Sequence, residues 1–111
     1  MPGRARPKGR PRFGRGGRVF TPPETLEYEA RVREAAESVF AKPLEGDTLQ
    51  AIIYVYVKGK NHADLDNYVK SILDGMNRVA YLDDKQIKDI HAYLRFVTDK
   101  ADERVEVTMN E

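Results

Sequence analysis

The feature that most constrains the fold is a change of hydrophobic periodicity in the middle of the chain. Residues 49–57 are almost all apolar, and most of them are β-branched or aromatic, which is typical of a central strand in a sheet. After a polar connection, apolar residues recur four, three, four and three positions apart, at Leu65, Val69, Ile72, Met76 and Val79. That spacing predicts an amphipathic helix directly after the strand.

A second helix is predicted upstream and two further strands downstream. Thr21 and the two prolines after it indicate a helix start, and an apolar band then runs through residues 26–41. Alternating apolar residues at about 86–97 and 104–109, separated by the polar segment 99–102, predict an antiparallel hairpin. The predicted fold class is α/β (α+β), a small mixed β-sheet with two main helices packed on it.

Length and composition limit the class of protein. At 111 residues the chain is long enough for one domain with one core. It contains no cysteine, which excludes a disulfide scaffold and a thiolate zinc site and fits a reducing compartment. Because no segment has the apolar length of a secretion signal or of a membrane span, we expect a soluble cytoplasmic protein with no membrane partner.

Charge is segregated along the chain, although the net charge is only +1. Residues 1–18 carry seven Lys or Arg and no acid, which leaves 12 basic and 18 acidic side chains for the rest. Prolines and glycines interrupt this basic segment, so we expect an extended arm that takes its order from a partner. The predicted organisation is a basic arm at 1–18 and a single domain at 19–111. Such an arm either follows a phosphate backbone or is a solvated tail.

Four aspartates and a lysine surround the predicted central helix. Asp64 and Asp66 stand at its start, Lys70 lies within it, and Asp83 and Asp84 follow its end. Carboxylates held close together oppose one another's ionisation unless a cation neutralises them. Because carboxylate oxygens are ligands that Mg²⁺ prefers, and a helix N-terminus attracts anions, the pattern predicts a divalent metal acting on phosphate. Of Asp83 and Asp84, which are adjacent in the sequence, at most one is expected to face the ion directly.

The same residues also have an ordinary structural explanation. An aspartate at a helix start is often a cap, Asp66 and Lys70 have the spacing of a helical ion pair, and adjacent aspartates can form a turn. Two metal-dependent classes are excluded. An EF-hand fails because aromatic and apolar residues stand where its loop needs an oxygen ligand and a glycine. A sugar-nucleotide glycosyltransferase fails because the chain is too short for its nucleotide-binding domain.

Three segments taken together resemble the RusA family of Holliday-junction resolvases. They are Lys8 to Phe13, Arg18 to Pro22, and Asp64-Leu65-Asp66-Asn67 followed by Lys70, Asp74 and the Asp83–Asp84 pair. The resemblance implies a small homodimeric endonuclease, often encoded by phages and prophages, that resolves branched DNA with Mg²⁺ or Mn²⁺. Relatives usually have a first strand before the arginine-rich segment, which leaves the conformation of the arm open.

The resemblance also assigns roles to positions of this sequence. It places essential metal-binding carboxylates on Asp64, Asp66 and Asp84, with Asp83 as an adjunct, and the active-site lysine on Lys70. The choice between the two adjacent aspartates stays open, because the segment before them is one residue shorter than in a relative. We expect Asp74 to support the helix. The residues expected to contact DNA are Lys8, Arg10, Arg12, Phe13, Arg15, Arg18, Lys58 and Lys60.

The leading functional hypothesis is a Mg²⁺-dependent endonuclease that resolves Holliday junctions by paired symmetric nicks. Two such nicks call for a two-fold homodimer with one site in each subunit. An alternative is a non-catalytic nucleic-acid-binding module that uses the arginine-rich arm and needs no metal. A structural or assembly protein of a phage is a third hypothesis, in which the helical apolar stripe would be an interface.

Overall fold

The structure is a computed structural model that describes residues 1–9 and 12–111. Within these residues it contains two α-helices, α1 (Pro23–Glu37) and α2 (Leu65–Met76). Its strands are β1 (Arg12–Phe13), β2 (Val19–Phe20), β3 (Leu49–Lys58), β4 (Ile87–Val97) and β5 (Arg104–Asn110). None of the helices in the described ranges is both long and apolar enough to cross a membrane.

β3 is the middle strand of a three-stranded mixed sheet. β4 pairs with one of its edges in parallel, and β5 pairs with the other edge antiparallel. β1 and β2 form a separate antiparallel ribbon. The predicted fold class, a small mixed sheet with two main helices, is confirmed, and so is the central position of β3.

The predicted hairpin between β4 and β5 is wrong. α2 carries the chain from the end of β3 back to its start, so β4 runs parallel to β3. Residues 98–103 then cross the end of β3, where Lys58 pairs with Val97 on one side and Tyr56 pairs with Arg104 on the other. The alternation of apolar residues located both strands, but it carried no information about which strand each one pairs with.

The core lies between one face of β3 and the apolar faces of the helices. Every second residue of β3 is fully buried on this face: Leu49, Ala51, Ile53, Val55 and Val57. α2 contributes Val69, Ile72 and Met76 of the predicted stripe, together with Leu73, which lies beside them. The continuous apolarity of β3 therefore reflects one buried face and one half-buried face.

α1 packs on α2 through only part of the predicted apolar band. Val32 of that band is buried together with Tyr28, whereas Leu26 and Val39 are exposed. Val32 lies directly over Gly75 of α2, where an added Cβ would come within 2.7 Å of the Val32 Cβ. The glycine thus lets the two helices approach closely on the buried side of α1.

No helix formed by the described residues covers the other face of the sheet, which presents a row of aromatic rings. Tyr54 stacks on Tyr93 of the neighbouring strand with ring centroids 4.8 Å apart, and on Tyr56 at 6.2 Å. Arg95 lies over the Tyr93 ring at 5.0 Å, and Arg104 lies over the Tyr56 ring at 3.9 Å. The tyrosines and the two arginines therefore cover this face of the sheet.

Residues 1–9 belong to the folded domain. Met1 and Val105 exchange hydrogen bonds of 3.0 and 2.9 Å, which places the N-terminus beside β5. Farther along, the Lys8 N–H donates to the Asn67 carbonyl oxygen at 2.9 Å. The expectation that this segment takes its order from a partner is therefore wrong for residues 1–9, because the domain itself supplies the hydrogen bonds.

The Arg4 guanidinium reinforces this docking. It lies 2.8 Å from the carboxylate of Glu103, a buried residue, and it also donates to the Lys58 and Asn61 carbonyl oxygens. The Lys58 N–H donates to the same carboxylate at 2.9 Å. Because a buried carboxylate is costly without such partners, the N-terminal segment is tied to the end of β3 where the loop to α2 begins.

Two buried tyrosines differ in whether their hydroxyl group has a partner. The Tyr28 hydroxyl forms no hydrogen bond within the described residues, and its burial raises the pKa of Tyr28 to about 12. The Tyr81 hydroxyl donates to the Leu73 carbonyl oxygen. The two side chains form a matched pair for testing the energetic cost of a buried hydroxyl without a partner.

We expect Tyr28→Phe to raise the free energy of unfolding by about 1 kcal/mol at neutral pH, and Tyr81→Phe to lower it by about 1 kcal/mol. The folded protein keeps the Tyr28 proton above about pH 10, where tyrosine in the unfolded chain ionises. The pH-dependent part of the folding free energy from Tyr28 is therefore fully present below about pH 10 and is lost as pH rises through about 12. Tyr28→Phe should therefore lose less stability over this window. Urea unfolding across the alkaline range measures both effects, and identical pH profiles for wild type and Tyr28→Phe would contradict the prediction.

Candidate active site

Asp64 and Asp66 lie where the loop after β3 enters α2. Gly59 turns the chain with a φ of +87°, and the Ala63 N–H donates to the Tyr68 hydroxyl at 2.9 Å, which fixes the residue before Asp64. Asp64 occupies the N-cap position of α2, but its carboxylate makes no capping hydrogen bond. Both aspartates are exposed. Two carboxylates that have no partner among residues 1–9 and 12–111 therefore stand at a helix N-terminus, beside backbone donors that attract anions.

Asp83 and Asp84 precede β4, and unlike Asp64 one of them, Asp83, uses its carboxylate to cap the following turn. The Asp83 carboxylate accepts a hydrogen bond of 2.9 Å from the Lys85 N–H, and the Gln86 side chain accepts one of 2.9 Å from the Asp83 N–H, which completes a capping box. The hydrogen bond from the Lys85 N–H holds the pKa of Asp83 below its ordinary value, and a hydrogen bond with the neighbouring Asp84 carboxyl acts in the same direction to a smaller extent. The cap engages Asp83, whereas Asp84 is exposed and takes no part in it.

Lys70 pairs with Asp74, one turn further along α2, at 3.3 Å. Asp74 also contacts the Lys8 ammonium at 3.0 Å, and Lys8 contacts Glu29 of α1 at 3.1 Å. Burial opposes the charge on Lys8, but hydrogen bonds to Asp74 and Glu29 outweigh that effect and raise the pKa of Lys8. Lys8 thus joins α1 to α2, while the Lys70 side chain, 59% exposed, keeps its ammonium at the surface.

The two acidic pairs lie at opposite ends of α2 within one chain. The helix spans about 18 Å at 1.5 Å per residue. Asp64 follows the last residues of β3, whereas Asp84 precedes Ile87, which pairs with Leu49 at the start of β3. In agreement with this separation, residues 1–9 and 12–111 contain no group of three or more His, Asp or Glu that could hold a metal ion. One chain therefore offers its predicted ligands as two separate pairs.

A comparison with known families accounts for nearly the whole chain. The family described as endodeoxyribonuclease RusA matches residues 2–110. The chain belongs to the RusA family. A comparison with curated proteins finds no match. Members of the RusA family are endodeoxyribonucleases that act on Holliday-junction DNA and are found in bacteria and phages. The resemblance carried by the three sequence segments is confirmed.

The β1–β2 ribbon of this RusA-family chain presents basic and aromatic side chains to solvent. The Phe13 ring is 80% exposed, and Arg15 and Arg18 are exposed on the same ribbon. Its tip contains Gly16 and Gly17, both with φ above +70°, a conformation that side chains with a Cβ rarely adopt. A projecting basic ribbon with an exposed aromatic ring suits contact with a phosphate backbone and its bases.

The other residues expected to contact DNA differ in how available they are. Lys58 and Lys60 are exposed next to the loop that enters α2. Arg12 pairs with Glu24 at 2.5 Å, but both side chains are more than half exposed, so this contact exchanges readily. Lys8 is held between the helices. Arg10 lies outside the described residues.

Next to Asp64, a cleft of about 390 Å³ separates the N-terminal segment from the loop that enters α2. It is lined by Arg4, Ala5, Arg6, Pro7, Asn61, His62, Ala63 and Tyr68. The Ser71 hydroxyl donates to the Arg6 carbonyl oxygen at 2.5 Å, which holds this residue against α2. Arg4 and Arg6 were not among the predicted DNA contacts, because only the docking of residues 1–9 brings them beside the loop that enters α2.

Gln86 is a structural residue of the site that the sequence interpretation missed. Besides completing the cap of Asp83, its amide nitrogen donates to the Leu44 and Gly46 carbonyl oxygens at 2.9 and 2.7 Å. The side chain therefore fixes the acidic turn against the loop before β3. An aspartate followed three residues later by glutamine is a helix-start signature, so the sequence contained a signal that could have identified it.

Proposed function

We propose that this RusA-family chain is a Mg²⁺-dependent, structure-selective endonuclease that resolves four-way DNA junctions by paired symmetric nicks. The observation that carries the proposal is the uncapped carboxylate of Asp64, beside Asp66 at the start of α2, in a chain whose family cleaves DNA. An aspartate that only capped the helix would accept a hydrogen bond from a backbone N–H, and among the described residues Asp64 accepts none. Its carboxylate is therefore available to a ligand.

The donor set fits Mg²⁺. This ion prefers oxygen ligands, keeps several waters, and is held by one or two carboxylates together with substrate phosphates. Asp64 and Asp66 would hold it, with Asp84 as a further ligand and Asp83 as an adjunct, and Mn²⁺ would be a substitute. When bound, the ion would supply an activated water and stabilise the charge that develops on the scissile phosphate.

Lys70 would contact the scissile phosphate or the attacking water. Its ion pair with Asp74 is well exposed, and pairs of this kind contribute only about 0–1 kcal/mol, so the ammonium can exchange the carboxylate for a phosphate. Asp74 keeps its contact with Lys8 when Lys70 leaves. The helix would therefore stay anchored to the N-terminal segment while the lysine engages DNA.

We further propose that the functional unit is a homodimer. Symmetric cuts in two strands require two sites related by a two-fold axis. The positions of the acids give a second reason. Asp84 is separated from Asp64 by about the length of α2, so it would reach an ion held by Asp64 and Asp66 only from a second copy of the chain.

The test is incubation of the protein with a synthetic four-way junction and, in parallel, with a linear duplex of matching sequence. With Mg²⁺ or Mn²⁺ we expect paired nicks in the junction, an intact linear duplex, and no cleavage when the ion is chelated. Junction binding without cleavage in either ion would favour the non-catalytic module instead. Equal cleavage of both substrates would contradict structure selectivity.

The ribbon should contribute binding rather than chemistry. Replacing Arg15 and Arg18 together by glutamate should weaken junction binding. The slope of log affinity against log salt should fall by about 0.9 for every phosphate that the variant no longer neutralises. Affinities measured at several salt concentrations test this. Lys42→Glu, an exposed charge reversal in the loop after α1, is the control and should leave the slope unchanged. An unaltered slope in the double variant would exclude the ribbon as a DNA-binding element.

A further inference from the structure

The outer edge of β4 is a long unpaired strand edge. β4 spans Ile87–Val97 and pairs on one side only, with β3, within the described residues. Ile90 and Phe96, on the face that carries the helices, are 51% and 62% exposed. An exposed edge of this length with apolar side chains is a template for pairing with another strand.

We propose that β4 pairs antiparallel with β4 of a second copy of the chain, centred on Ala92. In that register Asp89 faces the partner's Arg95, Ile90 faces the partner's Leu94, and His91 faces the partner's Tyr93. Each pair occurs twice because the two-fold axis repeats it. Cross-strand pairs of opposite charge and of apolar residues are the contacts that stabilise antiparallel strands. The sequence of β4 is therefore complementary to itself.

Neighbouring registers lack this complementarity. Moving the centre to His91 or to Tyr93 would set Asp89 against the partner's Tyr93 or Val97 and leave its charge unmatched. A centre between two residues would set helix-side residues against residues of the open face. Within the described part of the chain neither Asp89 nor Arg95 forms an ion pair, so neither charge is matched by an opposite charge of its own chain. Arg95 lies over the Tyr93 ring on the open face, and a carboxylate of the partner can approach it there.

The ends of the strand limit the pairing and select the partner. The register of β4 against β3 shifts between Ile87 and Asp89, which marks a bulge at Lys88. The paired stretch therefore runs from Asp89 to Arg95. A bulge and charged residues normally protect an edge from unrelated strands. Here the charges face opposite charges only when the second strand is another β4.

This inference deepens the proposed homodimer and rests on it. β4 starts just after Asp84, and its end lies beside the end of β3, from which the chain continues to Asp64. In an antiparallel β4 pair the start of one strand lies beside the end of the other. The acidic turn of one chain would then lie at the same end of the joined sheet as the partner's Asp64 and Asp66.

Charge reversal tests the register directly. Asp89→Arg places two arginines opposite each other at both symmetric positions, and Arg95→Asp does the same with two aspartates. Each single variant should raise the dimer dissociation constant by roughly 10- to 100-fold. An equimolar mixture of the two variants should form a heterodimer, because both cross-strand pairs are then complementary. Sedimentation equilibrium measures the mass against the 12.7 kDa chain, and circular dichroism confirms that each variant is folded.

A wild-type monomer, or single variants whose dimer dissociation constant equals that of wild type, would overturn the inference. Failure of the mixture to associate would also refute the Ala92 register, even if both single variants were monomeric. The junction-cleavage assay is an independent readout. A dimer that forms through β4 without nicking DNA would refute the proposed function alone, and a nicking dimer indifferent to both reversals would refute the β4 interface alone.

Discussion

Asp66→Asn should abolish junction cleavage and leave junction binding unchanged or tighter. The substitution keeps the size and polarity of the side chain but removes the negative charge that would hold the ion. We expect the cleavage rate to fall by roughly a hundredfold or more, the scale seen when an electrostatic contact to the reacting group is removed. Binding should not weaken, because one fewer carboxylate repels the phosphates. Single-turnover cleavage and equilibrium binding, both with Mg²⁺, measure the two effects separately.

Asp47→Asn is the matched control for this experiment. Asp47 is exposed in the loop before β3, at the opposite end of that strand from Asp64. The control should cleave and bind as wild type does. A cleaving Asp66→Asn protein would refute the assignment of Asp66 as a metal ligand. Loss of both binding and cleavage would show that Asp66 supports the DNA-binding surface instead.

Gly75→Val should have the largest effect on stability. An added Cβ at Gly75 would lie 2.7 Å from the Val32 Cβ and 3.0 Å from the Glu29 carbonyl oxygen, which belongs to the backbone of α1 and cannot rotate away. Overpacking in a core costs about 1–3 kcal/mol, and a β-branched side chain against backbone should cost about 3 kcal/mol. Urea unfolding of the variant measures this loss.

Gly14→Ala is the control for the glycine substitution. Gly14 has a φ of −95°, and the nearest atoms to an added Cβ lie 3.5 Å away, which is an ordinary van der Waals distance. Its free energy of unfolding should change by less than about 0.5 kcal/mol. If Gly75→Val were as stable as the control, the two helices would not approach as closely as the fold shows.

Residues whose role is local were predictable from the sequence. The periodicity from Leu65 to Met76 identified α2 and its buried face, because a helix repeats every 3.6 residues and its stripe records the side that leaves water. The β-branched run identified β3 as a central strand for a similar reason. The same logic was only partly right for α1: Val32 of the predicted band is buried, but Leu26 and Val39 fit the spacing and are exposed. Val32 lies against Gly75 of α2, a contact that the periodicity of α1 does not reveal.

At the acidic site, too, the sequence identified the residues, but only the tertiary structure shows which hydrogen bonds they make. The sequence supplied the residue types, and the local structure agrees that Asp64 starts a helix and that Asp83 and Asp84 form a turn. Which of these carboxylates is free depended on hydrogen bonds that spacing does not reveal, since Asp83 caps the turn and Asp64 caps nothing. The cleft beside Asp64 likewise required the docking of residues 1–9.

The sequence by itself determined the two α-helices, the three strands of the sheet, the family and the residue types available for chemistry, because each of these follows from short-range pattern and composition. Only the tertiary structure decided that β4 and β5 lie on opposite edges of β3 and that the two acidic pairs lie at opposite ends of α2. Strand partners and distances between sites depend on how the chain crosses itself. Local periodicity records which face of an element is buried, but not which element covers it.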